Sequence, residues 1–163
     1  FKATKVRKIT CFKNQVKYPH SHRVMSNEIT FSIIKPDALG SGNAGSIISR
    51  INEAGFRIVA LKMLHMTREQ AERFYEVHRE RPFYPGLVEF MSSGPALVMV
   101  LRHADAVEEF RRLIGATDPA RALPGTIRAD FGTDVRMNAV HGSDSPENAL
   151  REASFFFSAI EIF

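Results

Sequence analysis

The chain has 163 residues, 44% of them hydrophobic, with 13 Phe and no Trp, which suits one domain with a core that needs no covalent staples. A single cysteine, Cys11, excludes an internal disulfide framework and fits a reducing compartment, and no apolar run reaches the roughly 20 residues that span a bilayer. The net charge of +4 is unevenly spread: residues 1–24 hold seven of the 22 basic residues and no acid, which leaves 15 bases against all 18 acids in 25–163, a formal −3.

The basic stretch 1–24 has neither helical nor strand period, and the first strand pattern follows Met25 at once. Three origins compete: upstream or vector-derived sequence with Met25 as the natural start, the remnant of an organelle-targeting segment, or an arm for nucleic acid or an anionic surface. The first is preferred, so the folded domain is expected over 25–163. Location is expected to be cytoplasmic, or an organelle if the tail is a targeting remnant. Cys11, His20 and His22 match no common zinc spacing and supply only three groups.

Glu28 to Ile34 alternates Ile29, Phe31 and Ile33 with Glu28, Thr30 and Ser32, the pattern of a half-buried strand. Pro36 stops it, which leaves Lys35 as a cation at the mouth of the sheet. Gly40 to Ser46 has two glycines five apart and a serine, but lacks the lysine of a phosphate loop, so it reads as a flexible lead-in to a helix carrying Ile47, Ile48 and Ile51. Gly55 ends that helix, and Phe56 to Met66 is a second strand. Thr67-Arg-Glu-Gln70 is a capping box that opens the next helix, with Phe74, Tyr75 and His78 on it. Arg81-Pro-Phe-Tyr-Pro-Gly86 follows, an aromatic turn in which Phe83 is either a cover for a flat ligand or a core plug. A short helix spans Leu87 to Met91. Pro95 to Leu101 is apolar throughout, as a central strand would be, and Ala104 to Ile114 is an amphipathic helix ending in Arg111 and Arg112. Gly115 to Phe131 has little regular pattern, and a loop of that length in a small domain usually serves function. Asn138-Ala-Val is a fourth short strand that thrusts His141 out at a corner. There Gly142 lets the chain bend, and Ser145-Pro146 starts a last helix carrying Glu152, closed by Phe155 to Phe157. The order of elements predicts an α+β domain: a ferredoxin-like βαββαβ four-stranded antiparallel sheet covered by helices on one face.

A lone histidine near a turn is usually structural. This one is accompanied, at strand ends and in loops, by Lys35, Tyr75, Arg111, Thr117, Arg128 and Asn138. Three are cations and three are neutral hydrogen-bonding groups, a set that suits a phosphate-bearing ligand. Neighbouring cations favour neutral imidazole, a free-base nucleophile, and a carboxylate such as Glu152 could hold one ring nitrogen and leave the other to attack.

The stretch Asn138-Ala-Val-His-Gly-Ser-Asp144 resembles the signature of nucleoside diphosphate kinases. The resemblance extends over residues 28–157 and includes Ile34-Lys-Pro-Asp37, Gly55-Phe-Arg57, Arg81-Pro-Phe-Tyr-Pro-Gly86, Ser93-Gly-Pro95, Gly115-Ala-Thr117, Pro124-Gly-Thr-Ile-Arg128 and Asp130-Phe131. These are several independent motifs in one order, so the match is specific. It implies that His141 is the phosphorylated residue in a ping-pong transfer of the γ-phosphate from a nucleoside triphosphate, mainly ATP, to a nucleoside diphosphate. Lys35, Arg111, Thr117 and Arg128 would bind phosphate, Lys35 would also meet the sugar 3′-hydroxyl, and Asn138 would meet the ribose. Phe83 would stack on the base with Leu87 beside it, Tyr75 would lie near the transferred phosphate, and Ser143 and Glu152 would orient the histidine. Stacking without base-edge contacts would make the enzyme indifferent to the base. Mg²⁺ is implied on the nucleotide phosphates, with no ligand supplied directly by protein. A homo-oligomer is implied too, a hexamer in preference to a tetramer. Met137 departs from the polar or basic residue that many relatives carry before the asparagine, the tail lacks a counterpart in shorter members, and the C-terminus is short. The competing reading is a nucleic-acid-binding or regulatory protein on the same scaffold, which would use the basic tail; the acidic body and the lack of paired aromatics on strands speak against it.

Overall fold

The computed structural model describes residues 28–163; the readings made on residues 1–24, on Met25 as a start and on Cys11, His20 and His22 lie outside them. In chain order the elements are β1 (Ile29–Ile34), α1 (Pro36–Gly40), α2 (Ala44–Glu53), β2 (Arg57–Leu64), α3 (Arg68–Phe74), α4 (Tyr84–Met91), β3 (Ala96–Arg102), α5 (Ala106–Ile114), α6 (Ile127–Phe131), β4 (Val140–Gly142) and α7 (Pro146–Phe156). The strands form one antiparallel sheet in the order β2-β3-β1-β4, the expected α+β architecture. The βαββαβ unit is β1-α2-β2-β3-α5-β4, with α3 and α4 inserted between the second and third strands and α7 appended.

Those additions overturn one expectation. Helices cover both faces of the sheet. Ile47 and Ile51 of α2 and Phe110 and Ile114 of α5 pack on one face with Ile34, Met99 and Leu101. Ala71 and Phe74 of α3, Val88 and Met91 of α4 and Ala153 of α7 pack on the other with Phe31, Ile33, Val98 and Val100. A bare βαββαβ unit would leave that second face to solvent; the inserted and appended helices bury it. Consequently β1 is buried at all six positions, Thr30 and Ser32 included, and is not the half-buried strand that its alternation suggests. Alternation of residue type reports side-chain direction; it does not report what covers the polar face.

Local chemistry sets the other boundaries. Pro36 ends β1 but also occupies the first position of α1, where its missing N–H costs nothing, so the expected turn after Lys35 is a short helix. The capping box of α3 is complete, Thr67 accepting from the Gln70 backbone and Gln70 from that of Thr67. Strand β2 is shorter than Phe56 to Met66 and carries a bulge between Ile58 and Ala60, which puts both Val59 and Ala60 in the core and turns Leu61 and Met63 outward at 46% and 62% exposure. The expected irregular segment 115–131 contains a 3₁₀ turn at Pro119–Arg121 and then α6. His141 lies inside β4, which begins two residues later than Asn138. Gly142 is not a bend but a strand residue opposite Ser32. A Cβ there would lie 2.8 Å from the Phe110 ring, so the glycine is required by close packing of α5.

Phe31 is fully buried, its ring parallel to that of Phe156 at 5.3 Å and 5.8 Å from Phe74. Phe31→Ala is expected to lower unfolding free energy by about 3–5 kcal/mol, read as a lower urea midpoint with an unchanged slope.

Candidate active site

Strand β4 pairs with β1 so that His141 is opposite Ile33 and Val140 opposite Ile34. Lys35 therefore leaves the end of β1 beside the start of β4, and its backbone N–H donates to the Ala139 carbonyl at 2.9 Å. A cleft of about 750 Å³ opens at this edge, lined by Lys35, Tyr75, Phe83, Leu87, Arg111, Thr117, Arg128, Asn138, His141 and Glu152. These are the residues singled out in the sequence, brought together from positions more than a hundred residues apart. Ser143 is absent from the lining because it stands behind Glu152.

The histidine is held on one side only. Its Nε2 is 3.0 Å from Glu152 Oε2, and the same oxygen accepts a 2.6 Å hydrogen bond from the Ser143 hydroxyl. Ser143 Oγ in turn accepts from the Phe31 backbone N–H at 3.3 Å, and the Ser143 N–H donates to the Phe31 carbonyl. A carboxylate partner makes Nε2 the protonated nitrogen, and the lone pair is left on Nδ1. The rings of Phe31, Phe74 and Tyr75 flank the imidazole at centroid distances of 6.2, 5.8 and 6.3 Å and restrict its rotation. Tyr75 itself is buried, its hydroxyl has no hydrogen-bond partner, and burial together with the Glu152 charge pushes its pKa up. It is a buried proton donor with no acceptor in bonding reach.

Lys35 and Arg128 are pinned, and the cations repel one another. Lys35 Nζ donates to Asn138 Oδ1 at 2.6 Å and to the Arg136 carbonyl at 3.2 Å, which leaves one of its three N–H groups for a ligand. Burial, then the Arg128 charge, lowers its pKa to about 8, against the opposing pull of Asp37 and Asp134. Arg128 donates to the carbonyls of Gly115 and Val140 at 3.0 and 3.1 Å; burial and the nearby Arg111 lower its pKa to about 10. Two cations with neutral hydrogen-bond partners, with Arg111 beside them, form an electrostatic deficit that a polyanion relieves. Asn138 is the clamp between them: its Nδ2 donates to the carbonyls of Thr117 and Val135 at 2.9 and 3.0 Å, so both ends of the amide are occupied by protein. Phe83 stays half exposed at the N-terminus of α4, which decides between cover and core plug in favour of an available ring.

Comparison with known proteins agrees with this geometry. The sequence model of the nucleoside diphosphate kinase family matches residues 28–162. The chain belongs to the nucleoside diphosphate kinase family. It is similar to the protein named nucleoside diphosphate kinase in Coxiella burnetii strain CbuK_Q154, 52% identical over 139 residues, 85% of this chain and 100% of that one. Among solved structures it is similar to the nucleoside diphosphate kinase of Aquifex aeolicus, with a TM-score of 0.81 and 51% identity over 83% of this chain and 99% of that one. The nucleoside diphosphate kinase of Encephalitozoon cuniculi gives 0.80 and 40%, over 82% and 91%.

The cleft also includes residues that the sequence reading did not single out. Arg136 lies with its guanidinium over Gly86, where a Cβ would meet it at 2.7 Å, and Asp144, Asn148 and Arg151 line the opposite wall. Arg136 sits in an exposed turn made by Asp134, whose carboxylate accepts from the Arg136 and Met137 backbone N–H groups. No periodicity marks such a position; only the Asp134-to-Met137 turn chemistry could have signalled it.

The lowered pKa of Lys35 has a measurable sign. The unfolded chain keeps the lysine proton up to about pH 10.5 and the folded chain only to about 8, so folding is favoured progressively as pH rises through that window. The stability difference between parent and Lys35→Met is expected to move in the parent's favour between pH 8 and 10.5, followed by chemical denaturation across that range.

Proposed function

We propose that this chain performs its family's reaction, transfer of the terminal phosphate of a nucleoside triphosphate to a nucleoside diphosphate, with His141 as the covalently phosphorylated intermediate. The observation that carries the reading is the one-sided anchoring of the imidazole: Nε2 on Glu152, Nδ1 unbonded, in a cleft with Lys35, Arg111 and Arg128. Nδ1 attacks the γ-phosphorus, a P–N bond forms, and the bond to the β–γ bridging oxygen breaks with its electrons leaving on the diphosphate. An incoming diphosphate's terminal oxygen then attacks the same phosphorus, and the P–N bond breaks back onto Nδ1. Charge appearing on the imidazole is met by Glu152, and charge on the phosphoryl oxygens by Lys35, Arg111 and Arg128. Thr117 and Tyr75 add neutral hydrogen-bond donors, Phe83 and Leu87 offer the base a flat apolar wall, and Asn138 reaches the ribose while fixing Lys35.

Among the described residues no group of three or more His, Cys, Asp or Glu side chains is arranged to hold a metal ion. Mg²⁺ would lie on the nucleotide's phosphates and neutralise charge there, and Asp144 is a carboxylate on the cleft wall. A homo-oligomer is proposed as well, a hexamer in preference to a tetramer. Its support is the edge strand β2, where Leu61 and Met63 are exposed on a strand that no fifth strand covers. The nucleic-acid alternative depends on the basic residues 1–24, outside the described residues.

Protein incubated with ATP labelled on the γ-phosphate should take up label that is acid-labile, base-stable and discharged by GDP. His141→Ala should take up none; label on that variant, or none on the parent, overturns the reading. Leu61→Glu together with Met63→Glu should lower the assembly mass in sedimentation velocity.

A further inference from the structure

Directly after the asparagine clamp, two residues before the histidine, stands an alanine in an unusual conformation. Ala139 has φ +68°, one of only two non-glycine residues with positive φ among those described. The N–H of Val140 donates to the Asn138 carbonyl at 2.8 Å, two residues back, so Ala139 is the centre of a γ-turn of the positive-φ kind, which is rare and strained for a residue with a Cβ. Its side chain is fully buried. Strain of this sort persists only where the surroundings enforce it.

Both peptide groups of Ala139 are held by one corner of the fold. Its carbonyl accepts from the Lys35 backbone N–H, and its N–H donates to Asp37 Oδ2 at 3.0 Å across 102 residues of sequence. Asp37 is in the first turn of α1, two residues after Lys35, and Pro36 between them fixes the spacing. The other carboxylate oxygen, Oδ1, is buried without a hydrogen-bond partner. The carboxylate thus makes one directed contact, to the strained alanine.

We propose that Asp37 is a positioning residue for the nucleophile: by holding Ala139 in the left-handed γ-turn it fixes His141, two residues on, against the Asn138–Lys35 clamp. Without that hold Ala139 relaxes toward negative φ, and the start of β4 turns with it. Asp37 is not itself part of the cleft lining. The inference rests on His141 being the phosphorylated residue.

Asp37 also lies close enough to Lys35 to favour its charged form, and that second route must be separated from the first. Asp37→Ala removes both the acceptor and the charge; Asp37→Asn keeps an acceptor oxygen and removes the charge. Ala139→Gly makes positive φ free of strain, so the acceptor becomes dispensable. Rapid-quench measurement of labelled phosphoenzyme formation gives kcat and KM for this half-reaction. Asp37→Ala is expected to slow kcat by about 10–100-fold with KM changed less than about threefold, the scale of a small misplacement of a reacting group. Asp37→Asn should stay within about fivefold of the parent. In the Ala139→Gly background, Asp37→Ala should cost less than about threefold, a coupling that a generally structural role would not give. The proposal is overturned if Asp37→Ala is within threefold of the parent, if Asp37→Asn is as slow as Asp37→Ala, or if the cost is the same in the Ala139→Gly background. Should Asp37→Ala alone not fold, the Asp37→Ala/Ala139→Gly protein should fold and take label; its failure overturns the proposal equally. If His141 is not the phosphorylated residue, the parent takes no label that His141→Ala abolishes, which the same assay reads separately.

Discussion

The pairing of β4 with β1 is the constraint from which the cleft follows. Strand β1 runs through the middle of the sheet, buried on both sides and bonded to β3 and β4. Only three residues of β4 pair with it, yet they fix His141 opposite Ile33 and bring the next residues within reach of Phe31, which exchanges hydrogen bonds with Ser143. Ser143 then holds the carboxylate that holds the imidazole. On the other side of the pairing, the Val140 carbonyl accepts from Arg128, and the end of β1 supplies Lys35. A slip of one residue would exchange the faces of β4 and take the histidine out of the cleft.

The electrostatics of the cleft are organised around a separation of signs. Glu152 is nearly buried behind the imidazole, tied by a hydroxyl, with Arg151 at 3.8 Å from its other oxygen. The cations stand in front, Lys35 and Arg128 tied by carbonyls and an amide that leave their charge intact. This division keeps the carboxylate from neutralising the cations, whose pKa values are lowered first by burial and then by the repulsion of a neighbouring guanidinium. The cations are preorganised toward an anion before any arrives, as a site for transferring phosphoryl groups needs.

Much of this was legible in the sequence because the relevant residues punctuate elements. Lys35 precedes a proline, Arg111 ends an amphipathic helix, and His141 stands between a short apolar run and Ser145-Pro146; each position is readable from period and turn chemistry. Ten of the eleven named residues line one cleft, and the eleventh, Ser143, supports it. What could not be read were features set by distant packing. The burial of Thr30 and Ser32 depends on α2 and α5 lying on the face opposite α7. The bulge in β2 is a matter of pairing with β3, invisible in a strand's own alternation. Gly142 suggested a bend, whereas the residue that carries positive φ is Ala139, whose side chain gives no sign of it. Arg136 and Arg151 enter the cleft from an exposed turn and a helix face where charged residues need no special reason.

The absence of a side chain at Gly142 has a consequence for the spacing of charge. The Phe110 ring presses within 2.9 Å of where a Cβ would stand, and Ile114 within 3.0 Å, so α5 sits flush on β4. Arg111 is the residue after Phe110 and travels with that helix, while Lys35 and Arg128 are bonded to the strand pair itself. Arg128 spans the two, bonded to Gly115 at the end of α5 as well as to Val140, so the distance from helix to strand that one missing methyl group permits is also the distance over which the cations are spaced. A thicker residue would push α5, and Arg111 with it, away from the strand that carries His141.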